Sequence, residues 1–174
     1  MLNPKLPDNW PAYAANNRWL RVQIQTQTLY LLEKDTVLDH WSISTALNGP
    51  GEQEGSGCTP RGWHTIRAKI GDGCPQDAVF VGRRWTQECY SEALAARYPE
   101  RDWILGRILW LSGLEPGFNR SGQVDTMRRY VYFHATPPSE PMGIPLSHGC
   151  IRMTMSDITN LFDLIPIRAS VYID

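Results

Sequence analysis

Apolar and polar side chains alternate over residues 18–24, with Leu20, Val22 and Ile24 on one face, and β character continues through residues 28–32 and 37–43. A period of two marks a half-buried strand, so three early strands joined as a meander are predicted. Residues 48–57 are glycine-rich, polar and aperiodic, which predicts a loop. The segment lacks the Gly-Lys-Ser/Thr ending that would make it a phosphate cradle. Residues 59–66 read as a turn entering a strand, residues 70–73 turn again, and residues 78–81 extend.

Further on, residues 86–98 carry Ala93, Leu94, Ala95 and Ala96 among charged side chains and stop before Pro99, the pattern of a short helix. Residues 104–111 predict a buried strand, with Trp103 and Trp110 as core aromatics, and residues 114–125 a loop. In residues 129–134, Val131 and Phe133 point one way, toward the core. Tyr130, Tyr132 and His134 point the other way, which sets His134 at a strand end on the polar face. Thr154 followed by Asp157 is a capping-box variant, and Ile158, Leu161, Phe162 and Ile165 then recur at helical spacing until Pro166. Ala169, Val171 and Ile173 alternate in a closing strand. The chain is read as mainly β with one or two short helices.

Composition narrows the picture. A length of 174 residues suits one domain, and a net charge of −1 gives no electrostatic case for nucleic acid. No apolar run approaches the roughly 20 residues of a membrane helix, so no membrane partner is expected. The first eight residues have neither an apolar core nor a small-residue cleavage site, from which a cytoplasmic location is expected; a periplasmic one is the alternative if an export signal was removed. Cys58, Cys74, Cys89 and Cys150 form no Cys-x-x-Cys pair and are expected as free thiols. His64 lies among them, but the spacings do not suit a structural zinc site, and no metal or cofactor is expected.

The chemistry concentrates in Pro145-Leu146-Ser147-His148-Gly149-Cys150-Ile151-Arg152-Met153. A cysteine attacks as thiolate, and a nearby cation or inward-pointing N–H groups lower its pKa. Arg152 supplies the first and the Gly149-Cys150 turn the second, with Gly149 allowing a sharp bend and the close approach of a carbonyl. His148 is two residues from the sulfur and held alongside it by the backbone. His134 arrives from a separate strand, so it is preferred as the base.

Tyr132-Phe133-His134-Ala135-Thr136 followed by Ser147-His148-Gly149-Cys150-Ile151-Arg152-Met153 resembles the signature of the L,D-transpeptidase catalytic domain, as do Thr59-Pro60-x-Gly62 and the terminal helix and strand. The resemblance covers residues 18–174, leaving residues 1–17 as an N-terminal extension. It implies a β-sandwich or barrel-like fold and a cysteine acyl-enzyme acting on peptidoglycan stem peptides. It implies Cys150 as nucleophile, His134 as base with its tautomer fixed by the carbonyl of residue 135, and the N–H groups of His148, Gly149 and Cys150 around the oxyanion. Arg152 would bind a substrate carboxylate, and Ser147 and Tyr132 are placed with it as substrate-binding residues. Ala135 stands where the family usually has glycine; a negative φ there keeps the carbonyl contact available. Without an export signal, water is the expected acceptor, giving a cytoplasmic L,D-carboxypeptidase that releases terminal D-alanine from tetrapeptides in murein recycling. The alternatives are an exported transpeptidase using an amine acceptor and a non-catalytic module that binds wall peptides.

Overall fold

The computed structural model describes residues 8–9 and 17–174. The strands are β1 Arg18–Gln23, β2 Thr28–Glu33, β3 Thr36–Ser42, β4 Gly62–Ile70, β5 Ala78–Val81, β6 Arg84–Cys89, β7 Ile104–Gly113, β8 Tyr132–Ala135, β9 Ile151–Met153 and β10 Ser170–Ile173. Two helices, α1 Glu92–Arg97 and α2 Met155–Leu164, join them. The expected extension over residues 1–17 lies largely outside the described residues, although Asn9 accepts a hydrogen bond from Trp63 Nε1 at 2.6 Å.

The strands form one sheet in the order β3-β2-β1-β10-β4-β7-β5-β6, with β8 paired to β7 and β9 to β8. The meander β1-β2-β3 falls where alternation predicts it. β10 is inserted between β1 and β4, parallel to the first and antiparallel to the second. β7 meets β4, β5 and β8, and its ladder shifts register around Gly106, whose φ is +71°. A Cβ there would stand 2.6 Å from the carbonyl of Gln76, so glycine is what lets the strand bend at this crossing.

The sheet closes over α2. Thr154 caps this helix by accepting from the N–H of Asp157 at 3.1 Å. Ile158, Leu161, Phe162 and Ile165 are buried against Leu109, Phe133 and Ile151 in the main core cluster, each burial stabilising by about 1.5–3 kcal/mol. At the other end, Lys69 Nζ donates to the carbonyls of Phe162 and Ile165 and lies over the Phe162 ring, so it meets acceptors that the helix end leaves open.

Two elements differ from the sequence reading. Residues 86–98 are not one helix: Trp85 and Cys89 pair with Phe80 and Ala78 in a hairpin turned by Gly82 and Arg83, both at positive φ, and α1 begins only after Ser91 caps Leu94. β8 begins at Tyr132 rather than residue 129, because Tyr130 has a φ of +56° and breaks the extension.

Candidate active site

β8 and β9 run parallel, with Phe133 opposite Ile151, His134 opposite Arg152 and Ala135 opposite Met153. Opposed residues of a parallel pair share a face, and side chains two apart on a strand share it too. Tyr132 and His134 therefore project on the side of Arg152, away from the core side occupied by Phe133 and Ile151. Cys150 stands just before β9 and packs against the cluster of Ala78, Phe80, Ile108 and Tyr132.

The turn that carries Cys150 is bound from three directions. Ser44 and Arg152 exchange backbone hydrogen bonds at 2.8 and 2.9 Å, and Ser147 N–H reaches the Thr45 carbonyl at 2.9 Å. Thr59 Oγ1 donates to the Gly149 carbonyl and accepts from Ala46 N–H, both at 3.0 Å. Gly149 has a φ of +132°, and a Cβ on it would lie 3.3 Å from the Cys58 carbonyl. The torsion calls for glycine, and the space beside it is tight. Arg129 holds the glycine-rich loop over this turn, donating to the carbonyls of Gly51, Glu52 and Cys58 at 3.1, 2.8 and 2.6 Å and to Ser56 Oγ at 3.4 Å.

His134 Nδ1 lies 2.7 Å from the carbonyl of Ala135. A carbonyl only accepts, so Nδ1 carries the proton and Nε2 presents a lone pair. Ala135 is not among the residues with positive φ, so alanine makes this contact without strain. His134 is 2% exposed, which corrects its placement on a polar face. All four side chains of β8 are buried because α2 covers one side and the Cys150 turn with Arg152 covers the other. Burial pushes the imidazole pKa down and Arg152 adds to that, while the Ala135 contact and Asp102 pull it up. The ring is neutral near pH 7.

The sulfur differs more sharply from the sequence expectation. Cys150 is half-buried; its thiol donates to the Tyr130 carbonyl at 3.5 Å and accepts from Tyr132 N–H at 3.4 Å. Burial pushes its pKa up to about 12, outweighing the Tyr132 N–H, Arg152 and Arg129, all of which favour the thiolate, while Asp102 opposes it. The resting group is a neutral thiol, because desolvation exceeds the pull of the cations.

The remaining candidates fall as follows. Arg152 is 8% exposed and donates to Asp102, Glu140 and the Leu146 carbonyl, each at 3.4 Å, so part of its guanidinium is engaged by the protein. Ser147 is 1% exposed, and its hydroxyl donates to the Cys150 carbonyl at 2.5 Å and accepts from Gly149 N–H at 3.2 Å. It closes the turn instead of facing a ligand, and it removes the Gly149 N–H from the expected oxyanion set. The N–H groups of His148 and Cys150 have no hydrogen-bond acceptor among the described residues. Tyr132 is buried with its phenol oxygen accepting from Arg83 at 3.1 Å, so it meets the sulfur through its backbone. His148 is exposed at the rim.

Away from this turn, His64 is fully buried with both ring nitrogens occupied, by the Gly62 carbonyl and Thr126 Oγ1. Among the described residues no three His, Cys, Asp or Glu gather as metal ligands, and no helix is long and apolar enough to cross a membrane. A cavity of about 470 Å³ opens at the sulfur, walled by Glu54, Gly55 and Gly57 of the loop, by residues 128–131, and by His148, Gly149 and Cys150. The sequence reading missed Asp102 and Arg129, for neither sits in a motif. Thr59 was noticed only as part of one.

A mainly β domain in which a Ser-His-Gly-Cys turn docks beside a strand histidine defines the class. The chain belongs to the L,D-transpeptidase catalytic domain (YkuD) family, which it matches over residues 17–173. No curated relative matches it. Among solved structures it is similar to an L,D-transpeptidase from Mycobacterium smegmatis, with 17% identity, a TM-score of 0.53, and coverage of 91% of this chain and 58% of that one. It is also similar to an Enterococcus faecium L,D-transpeptidase carrying a cysteine-to-serine mutation, with 14% identity, a TM-score of 0.55, and coverage of 91% and 50%. A third is L,D-transpeptidase 3 from Mycobacterium tuberculosis in complex with a faropenem-derived adduct, with 13% identity, a TM-score of 0.54, and coverage of 91% and 60%. At these identities the likeness is one of fold. The chain spans 50–60% of the length of these three structures.

Proposed function

We propose that this domain is a cysteine acyl-enzyme that opens the L,D-peptide bond of a peptidoglycan tetrapeptide and passes the acyl group to water, releasing the terminal D-alanine. The observation that carries the reading is the 2.7 Å contact from His134 Nδ1 to the Ala135 carbonyl, which leaves Nε2 as a proton acceptor on the β8 face shared with Tyr132 and Arg152, and Tyr132 N–H bonds the Cys150 sulfur. The Cys150 thiol proton passes to that nitrogen as sulfur attacks the carbonyl carbon, and the oxyanion rests on the N–H groups of Cys150 and His148. His134 then protonates the departing amine of D-alanine. In the second half it takes a proton from water, the hydroxide carbon–oxygen bond replaces the thioester, and the thiol is restored.

Because the resting thiol is neutral, proton transfer accompanies attack instead of preceding it. Water as acceptor needs no room beyond the cavity at the sulfur, whereas an amine acceptor needs room for a second peptide. A cytoplasmic setting, where soluble wall fragments are the substrates, belongs to this same reading.

Incubation with free tetrapeptide, followed by mass analysis, tests it: D-alanine release that disappears in Cys150→Ala is the expected result. Added D-amino acid should leave the product a tripeptide; its incorporation would make the domain a transpeptidase. Binding of tetrapeptide with no release under any condition would make it a wall-peptide binding module. A faropenem adduct on Cys150 and none on Cys58, Cys74 or Cys89 is expected.

A further inference from the structure

Opening the last bond of a peptide places a free carboxylate a few atoms from the attacked carbonyl. A carboxylate brought out of water into a cavity requires a charged or multiply donating partner. Arg152 is not that partner, since it is 8% exposed, does not line the cavity, and already faces Asp102 and Glu140. Arg129 is not either, since its guanidinium is bonded to four acceptors of the loop it holds. Arg83 is sandwiched over Trp110 and Tyr130 at 4.8 and 4.6 Å, donates to Tyr132, and does not line the cavity.

Arg128 is the remaining cation. It lines the same cavity as Cys150 and is exposed; its charge helps hold the Asp125 carboxyl down, but its guanidinium makes no hydrogen bond or salt bridge among the described residues. Its backbone is nevertheless anchored: Arg128 N–H donates to Asp125 Oδ1 at 3.1 Å, and the next residue is the loop-holding Arg129. The side chain thus swings from a fixed point. Of the cavity's other charged residues, Arg129 is engaged by the loop and Glu54, on that loop, repels a carboxylate.

We propose that Arg128 binds the terminal carboxylate of the stem peptide, and so decides that the domain takes peptides with a free D-residue at the end. This rests on the acyl-enzyme reading above. A guanidinium pairs with a carboxylate by two parallel hydrogen bonds, which an amide end cannot accept.

The test compares a tetrapeptide ending in D-alanine with the same peptide ending in D-alaninamide, in wild type, Arg128→Gln and Arg128→Lys, by steady-state release. Wild type is expected to favour the free acid by about 10- to 100-fold in kcat/KM. Arg128→Gln should lose that preference, mainly through a higher KM, and Arg128→Lys should keep part of it. Alkylation of Cys150 by uncharged iodoacetamide should be the same in all three, showing that the site is intact. A wild-type preference retained by Arg128→Gln overturns this proposal alone. Release from neither peptide by wild type overturns the acyl-enzyme reading and this proposal with it.

Discussion

His134 and Arg152 stand opposite each other in register across the parallel pair β8 and β9, each with little access to solvent. A permanent cation beside a buried imidazole disfavours the protonated ring, so the arrangement reinforces what burial already does. Asp102, bonded to Arg152 at 3.4 Å, moderates it.

That triad sets a pH response. The activity of the proposed base should fall as pH drops through the depressed pKa of His134, on the acid side of 6.5. Arg152→Gln should move this limb to higher pH, and Asp102→Asn to lower pH, in profiles of kcat/KM. An unchanged limb in both variants would show that the ring does not sense either charge.

Replacing the two histidines should have unequal effects. His134→Gln removes the acceptor and should lower kcat by roughly 10²–10⁴-fold. His148→Ala, at the exposed rim, should cost much less, because the proposed mechanism uses only its backbone N–H. The reverse order in steady-state assays would exchange their roles.

The neutral thiol is directly measurable. Site-resolved alkylation of Cys150 should show no inflection near the ordinary thiol value of about 8.5 and should keep rising toward the strongly alkaline range. A plateau above pH 7 would mean that the cations outweigh desolvation after all.

Gly149→Ala should damage both fold and site. The torsion at +132° is one that alanine rarely adopts, and the added methyl presses on the Cys58 carbonyl. A loss of about 1–3 kcal/mol in denaturant titration, together with loss of D-alanine release, is expected. Full activity would mean that the loop and turn adjust freely.

His64 gives the fold an acid-sensitive component. Burial lowers its pKa to about 4, while the unfolded chain titrates near 6.5. The unfolded state therefore binds the proton first on acidification: stability is intact above pH 6.5 and is lost as pH falls toward 4. The loss is on the order of 3 kcal/mol over that window, and His64→Asn should flatten it in urea titrations at stepped pH.

Much of this architecture was legible because it is local. Alternation placed β1, β2 and β3, the Thr154 cap and its helical spacing placed α2, and the Ser-His-Gly-Cys run marked the turn. What was not legible depends on contacts between distant segments. Thr86 and Trp85 join a strand because β5 is there to pair with, not because of any helical or strand periodicity of their own. The raised pKa of Cys150 follows from burial beside the cluster that includes Tyr132 and Ile108, which no spacing reveals. Arg152 carries the expected charge beside the sulfur, yet Asp102 and Glu140 arrive from other segments to engage it. Arg129 precedes a strand in the sequence and has its meaning only once residues 49–58 fold over it.

β10 lies between β1 and β4 and is hydrogen-bonded to both. The early meander and the half of the sheet that bears the reactive turn are therefore stitched together by a four-residue segment at 170–173. Loosening that segment should open two edges of the sheet at once, leaving the Cys150 turn tied to the early chain through the backbone of residues 44–46.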